Sequence, residues 1–334
     1  MEISIIVPTR NIEKYIARSL ESIKAQTFKD WECVIVDDAS DDTTPQICRS
    51  FAEDDERFRI VSLSEASGVA IARNTGIREA KGRFVVFVDS DDWVEENYLQ
   101  TLHDLITSHD VDMAQCGFFI EKKRHTYEVS GVDATTILNR EEALFELLHN
   151  GKVHSALWSK IFKREKISPS MPRHKTYEDM YAMTEWIDNM DKIILDPGLI
   201  YHYRQRKSSI INSNFAQNKI DYLNACKFRG DFISNLFPEK FNDEQKNAFL
   251  IKHAVNTAKM IARHEKYQSK RRKCILEISD FIKPLPLKPH ETLSKKTVKR
   301  ARMIKKRPLY FLFTLNLLEK FNVRSKAKKD DMFE

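Results

Sequence analysis

Phe84-Val85-Val86-Phe87-Val88-Asp89-Ser90-Asp91-Asp92 joins a continuous apolar run to three carboxylates within four residues. An apolar run rich in β-branched and aromatic residues suits a strand buried on both faces of a parallel sheet. In open α/β sheets a ligand sits beyond the carboxyl ends of the strands, which is where Asp89, Asp91 and Asp92 fall. Carboxylates this close repel one another unless something neutralises them. A hard divalent cation does so, and in such a crevice it commonly carries a phosphate. The competing reading is a helix cap, with Asp91 or Asp92 ahead of a helix near Val94 and Glu95 and Glu96 in its first turn. A cap accounts for one carboxylate and leaves two over.

The same alternation continues on both sides. Residues 3–7 read as a strand stopped by Pro8, and Ile12, Ile16, Leu20 and Ile23 recur at helical spacing across 11–26. A second strand, 33–36, ends in Asp37-Asp38. A helix over 43–52, a strand over 58–63 and a helix over 68–80 lead into the strand 84–88, and a helix over 95–108 follows. Strands alternating with helices of this length predict βαβ units, hence an α/β fold with a mostly parallel sheet flanked by helices. Beyond 110 the pattern loosens: a strand at 111–120, helices at 140–149 and 177–190, then short strands at 193–195 and 199–203 about a Pro197-Gly198 turn. From about 214 onward only helices are expected.

The chain has 334 residues and a net charge of +6, which conceals an asymmetry. Residues 1–110 carry 12 Lys/Arg and 22 Asp/Glu, whereas residues 240–334 carry 25 and 10. An acidic first part able to hold a cation is followed by a strongly basic last part, which points to an anionic partner. No apolar run reaches the ~18 residues that span a bilayer, and Met1-Glu2-Ile3-Ser4 has no basic leader. The five scattered cysteines lack metal-ligand spacing. They read as reduced thiols of a cytoplasmic protein.

Several residues outside the acidic stretch have the chemistry of a nucleotide site. Asp37 and Asp38 can accept a pyrimidine N–H or a ribose hydroxyl, or be solvated turn residues. Arg73 can take a diphosphate bidentately, or be an ordinary surface arginine. Glu178-Asp179 opens a helix, where a carboxylate can act as a general base or merely complement the helix dipole. His202, in Tyr201-His202-Tyr203-Arg204, can bring an imidazole to a metal or pack among aromatics.

Taken together these segments resemble the family 2 glycosyltransferases with the GT-A fold, of the bacterial polysaccharide-assembly type. The resemblance rests on Ser4 to Thr9 with Asn11, Leu20 to Thr27, Val36 to Thr43, Gly68-Val69-Ala70, Ala72 to Gly76 and the DxD motif Asp89-Ser90-Asp91. A weaker likeness runs through Trp158 to Phe162, Tyr177-Glu178-Asp179, Tyr201 to Gln205 and Ser208-Ser209-Ile210, and it fades after about 212. It implies a GT-A catalytic domain over 1–212, with a nucleotide-binding half (1–110) and an acceptor half (111–212), before a helical region over 213–334. It further implies an inverting transferase of the hexosyl or N-acetylhexosaminyl type, using a nucleotide-diphosphate sugar, UDP-linked for preference, and Mn²⁺ or Mg²⁺. By position Thr9, Asp37 or Asp38 and Arg73 would bind the nucleotide. Asp89 would contact ribose or metal, Asp91 would ligate the metal and Asp179 would be the base. Relatives often carry Gly where this chain has Ala39, and Ala there asks for an unstrained backbone. A noncatalytic sugar-nucleotide or polysaccharide-binding scaffold and a nucleotidyltransferase are the competing classes. The loop Pro8 to Asn11 has no glycine to serve the latter.

Residues 294–329 carry thirteen Lys/Arg and one acid, Glu319. Within them Pro308 to Leu318 is too short to span a membrane. Flanked by cations, it suits a helix lying on the anionic inner leaflet, with Phe311, Phe313 and Leu317 inserted. The alternatives are a helix packed on its own domain or a homo-oligomer contact. Acceptors that are glycans or polyprenyl-phosphate-linked would fit peripheral attachment at the inner face of the cell membrane. No nucleic-acid motif accompanies the charge.

Overall fold

The computed structural model describes the chain apart from residues 174–175, 207–214, 266, 289 and 323–334 and the side chains of 316–322. The motif residues Ser208, Ser209 and Ile210 and the side chain of Leu317 therefore lie outside the described residues. The chain divides into two compact units, Met1–Lys207 and Ser208–Glu334.

In the first unit strands and helices alternate as β1 (Ile3–Thr9), α1 (Ile16–Lys24), β2 (Trp31–Asp37), α2 (Thr44–Asp54), β3 (Phe58–Ser62), α3 (Val69–Glu79) and β4 (Phe84–Phe87). These strands pair in parallel in the order β3-β2-β1-β4. The second half adds β5 (Trp93–Val94), α4 (Tyr98–Ser108), β6 (Met113–Lys122), β7 (His125–Val129), β8 (Thr136–Asn139), α5 (Arg140–Leu148), β9 (Lys160–Lys163), α6 (Glu178–Asp188) and β10 (Lys192–Arg204). β9 lies antiparallel between β4 and β6 and so fuses the halves into one ten-stranded sheet. β6 and β10 pair in parallel, and β5, β7 and β8 attach antiparallel. The sheet is thus parallel in its first half and mixed overall.

Burial explains the local choices. Every residue of β1 and β2 is buried, as their unbroken apolar runs require. α1 lays Ile16, Leu20 and Ile23 onto the sheet at helical spacing. α3 approaches more closely still: a Cβ on Gly76 would stand 2.3 Å from Cγ2 of Ile6 on β1. Two expectations change here. The helix after the acidic stretch starts at Tyr98, because Trp93-Val94 pairs with Tyr201 and His202 of β10 instead. Asp91 and Asp92 therefore cap nothing. Residues 193–195 and 199–203 belong to one strand, irregular between Asp196 and Leu199, because β6 runs continuously beside both segments.

The second unit holds α7 (Phe215–Leu236), α8 (Asp243–His264), α9 (Gln268–Ile282), α10 (Lys295–Lys306) and α11 (Pro308–Asn322). A reciprocal cap between Asn242 and Gln245 starts α8. Ile220, Leu223, Ile251, Val255, Ile261, Ile275, Ile278, Ile304 and Phe311 form its core. Phe311, expected in a membrane, is 1% exposed and belongs to that core. No helix among the described residues is long and apolar enough to cross a membrane.

We expect Gly76→Ala to lower stability by about 1–3 kcal/mol through overpacking against Ile6, against a helix-propensity gain of about 1 kcal/mol. Urea unfolding of both proteins tests this. An unchanged midpoint means that Ile6 can step aside.

Candidate active site

Thr9 and Asp37 stand side by side in the β1–β2 register at the carboxyl edge, and both are buried. The Asp37 carboxylate accepts the Ser40 hydroxyl at 2.6 Å. Asp38 is committed to the backbone, accepting the Ser67 N–H at 2.6 Å and the Gly68 N–H at 2.9 Å at the start of α3, with Arg10 at 3.3 Å. A carboxylate at a helix N-terminus is stabilised by the unpaired N–H groups and the dipole. Between Asp38 and Ser40, Ala39 has φ +52°. The backbone here is left-handed, not unstrained as the alanine implied, which is the physical reason glycine suits this position.

Arg73, near the start of α3, is buried and bridges two other elements. Its two terminal nitrogens donate to Asp89 at 2.7 Å and to Glu178, the first residue of α6, at 2.5 Å. Burial opposes its charge, but Asp89 and Glu178 outweigh that and raise its pKa. Burial pushes the Glu178 carboxyl up to about 7, with Arg73 opposing and Asp179 adding to the rise. The guanidinium expected to grip a diphosphate thus holds protein carboxylates instead. Next to it, Asn74 exchanges two hydrogen bonds with the backbone of Met171, at 2.9 and 3.1 Å. The run Arg73 to Gly76 therefore ties α3 to the sheet, to the acidic stretch and to the segment leading into α6.

The three carboxylates after β4 separate into two kinds. Asp92 is buried and satisfied by protein: it accepts the Tyr201 hydroxyl at 2.7 Å and the Arg204 N–H at 2.8 Å. Burial, then Asp91 and Asp89, push its pKa well up. Asp89 and Asp91 keep part of their surface. Asp91 accepts Arg206 Nε at 2.6 Å, and its pKa is raised by burial and Asp89 against the pull of Arg206. The Tyr201 hydroxyl also accepts the Asp89 N–H at 3.2 Å, so one phenol holds both ends of the acidic stretch.

Asp179 follows Glu178 and is only half-buried; its Oδ1 accepts its neighbour's N–H, Met180, at 2.8 Å. Tyr177, just before the helix, has φ +63°, a strained conformation for a non-glycine residue. His202 is held elsewhere. Neighbouring residues face opposite sides of a strand, and where Tyr201 reaches Asp89 and Asp92, His202 sits between Glu121 at 2.9 Å and Glu95 at 2.7 Å. Its ring stacks between Trp93 and Phe119. Both ring nitrogens are engaged away from Asp91, so the metal-ligand role expected of His202 has no geometric basis. Sequence reading missed Arg206 and the Tyr201 hydroxyl. It also missed buried Lys160, whose Nζ meets His154 at 2.8 Å and the Ala156 carbonyl at 2.6 Å. Only a charge amid apolar strand residues signalled Lys160, and nothing in spacing signalled Arg206.

Asp89 and Asp91 offer hard oxygen donors of the kind Mg²⁺ and Mn²⁺ take. No cluster of three or more metal-competent side chains gathers among the described residues. Two carboxylates nevertheless fit a cation that keeps several waters and takes the phosphate oxygens of its substrate.

A sheet of this topology, with paired acidic residues and a carboxylate-bearing helix start at its carboxyl edge, defines the GT-A class of α/β domains. Residues 4–157, all within the first unit, match the model of Glycosyl transferase family 2. Glycosyltransferase GlyA of Streptococcus pneumoniae is 32% identical over 218 residues, 63% of this chain but only 31% of GlyA. Putative glycosyltransferase EpsH of Bacillus subtilis is 31% identical over 219 residues, again 63% of this chain and 62% of EpsH. The chain thus spans less than two thirds of either relative. The Escherichia coli enzyme WfgD, named as a UDP-Glc:alpha-D-GlcNAc-diphosphoundecaprenol beta-1,3-glucosyltransferase, is 28% identical over 70% of this chain and 87% of its own. Among solved structures, Staphylococcus aureus TarS 1-349 in complex with UDP-GlcNAc superimposes with a TM-score of 0.74 at 21% identity, covering 99% of this chain and 95% of that one. At that identity the likeness establishes the fold.

Arg73→Met leaves buried Glu178 and part-exposed Asp89 without their cation, which we expect to cost about 3–5 kcal/mol in urea unfolding. A loss below about 1 kcal/mol would mean the bridge adds little beyond a surface pair. Ala39→Gly relieves about 1–2 kcal/mol of left-handed strain against a chain-entropy cost of 0.5–1 kcal/mol. We therefore expect a small rise in thermal midpoint; a fall would show that the methyl group packs usefully.

Proposed function

We propose that the protein transfers a sugar from a nucleotide-diphosphate sugar to a hydroxyl of a glycan or polyprenyl-phosphate-linked acceptor, with inversion and with Mn²⁺ or Mg²⁺ bound. The observation that carries this reading is the convergence at one sheet edge of part-exposed Asp89 and Asp91, the Arg73 bridge and Asp179. A UDP-sugar is the favoured donor. The UDP-Glc in the name of WfgD and the UDP-GlcNAc crystallised with TarS support it, as does the diphosphoundecaprenol acceptor for the lipid-linked class.

In this reading Thr9 and Asp37 receive the base and ribose. Asp38 acts mainly by fixing the start of α3, since both its oxygens hold N–H groups there. Arg73 acts through Asp89, orienting it toward ribose or metal, rather than on the diphosphate. Asp91, paired with Arg206 at 2.6 Å, would hold the metal directly. When bound, the cation offsets the charge that develops on the departing diphosphate. Asp179 accepts the acceptor hydroxyl's proton as that oxygen bonds to the anomeric carbon. The bond from that carbon to the diphosphate oxygen breaks on the opposite face, carrying its electron pair into the nucleoside diphosphate. Glu178 cannot share this work while it neutralises Arg73. A lipid-linked acceptor would place the protein at the inner face of the membrane.

Release of UDP from a panel of UDP-sugars, with and without Mn²⁺ and a lipid-linked acceptor, tests the reading. We expect Asp91→Ala to abolish transfer and the metal-dependent part of nucleotide binding; equal binding with and without Mn²⁺ in the parent protein refutes the metal role. Asp179→Asn should leave donor binding nearly intact and cut turnover by about a hundredfold or more. Near-normal turnover would move the base elsewhere.

A further inference from the structure

We propose that the α10–α11 surface of the second unit docks on an anionic lipid bilayer. The idea goes beyond the transfer reaction and can stand or fall apart from it. α10 turns Val298, Ala301 and Ile304 into the core. Lys295, Lys299, Arg302 and Lys306, spaced at i, i+4, i+7 and i+11, lie along one exposed stripe. With Lys296, Arg300, Lys305 and Arg307 the segment bears eight cations and no carboxylate, and among the described residues none of them forms an ion pair. α11 continues at once from Pro308 with the opposite character. It buries Phe311, Leu312 and Leu315, yet leaves Leu309 42%, Tyr310 51% and Phe313 58% exposed. These three share one helix face by their i, i+3 and i+4 spacing, and the rings of Tyr310 and Phe313 stack at 6.3 Å.

A soluble surface has no use for three adjacent exposed apolar side chains beside an unneutralised cationic stripe. A bilayer surface satisfies both: its headgroups meet the lysines and arginines, and its acyl boundary takes the aromatic and aliphatic tips. Long cationic side chains can bury their stems and keep their heads among phosphates. The inserting residues are Leu309, Tyr310 and Phe313, not the buried Phe311. A soluble polyanion would match the cations and leave the apolar face without a role. A second copy of the chain would match the apolar face and bring a like-charged stripe against it.

The test uses the full chain and point variants, because removing α10 and α11 would also remove Ile304 and Phe311 from the core. Cosedimentation is measured with vesicles of equal parts phosphatidylcholine and phosphatidylglycerol, and with pure phosphatidylcholine. We expect binding to the anionic vesicles only, weakening with added salt. The combined variant Leu309→Ser, Tyr310→Ser, Phe313→Ser, and separately Lys299→Gln, Arg302→Gln, Lys306→Gln, should each reduce binding at least about tenfold. Transfer to a short soluble acceptor and thermal midpoints should be unchanged. Parent-level vesicle binding by the serine variant overturns the proposal, as does equal binding to pure phosphatidylcholine. Two further results overturn it: a dimer that the serine variant converts to a monomer, naming a second copy as occupant, or tighter binding to soluble polyphosphate than to vesicles.

Discussion

A buried arginine between two carboxylates from distant parts of the sequence is the constraint around which the first unit is organised. A lone guanidinium in such a place would be prohibitively costly, so Asp89 and Glu178 must both arrive for Arg73 to be buried at all. That requirement fixes the end of β4 and the start of α6 relative to α3. Gly76 brings α3 close enough to β1 for the reach to succeed, and Asn74 secures the segment that delivers Glu178. The bridge also sorts the Glu178-Asp179 pair: Glu178 is enclosed and bonds the arginine, and its neighbour stays partly exposed.

Asp92 plays a comparable part on the other side of the acidic stretch. A buried carboxylate needs strong donors, and it takes a phenol and a backbone N–H, both from β10. The loop after β4 is thereby pinned to the far half of the sheet. Of the three acids, Asp89 and Asp91 keep exposed surface, while Asp92 is enclosed and bonded by the protein.

The first half was legible because each strand there is a continuous apolar run and each helix has a clean period, as in Ile16, Leu20 and Ile23. The second half was less so. β5, β7, β8 and β9 span two to five residues each, too few for any periodicity to register, and β10 crosses a Pro-Gly pair that reads as a turn but is bridged by its partner strand. The acidic stretch and the helix-opening pair Glu178-Asp179 were visible as residue types. Their partners were not, since nothing local links Arg73 to Glu178, Tyr201 to Asp92 or Arg206 to Asp91. His202 misled because an imidazole near acids resembles a ligand, whereas strand alternation turns it to the other face. Ala39 misled because a substitution of glycine by alanine reads as tolerance of ordinary angles when the chain in fact accepts the strain. In the tail, hydrophobic residues could be counted from sequence, but which of them face inward was set by the packing of α10 and α11.

The Arg73–Glu178 contact joins residues 105 positions apart, and this separation bears on how the unit comes into being. Closing so long a loop is slow and entropically demanding. During synthesis α3 is complete long before α6 emerges, and through that interval Arg73 has at most Asp89 as a partner. The span that carries the family signature, 4–157, ends before Glu178, Tyr201 and Arg204. Severed there, the chain would keep its motifs yet present a half-compensated cation and an Asp92 without its two donors. The smallest autonomous folding body therefore extends through β10, and the recognisable part of the sequence is not self-sufficient matter.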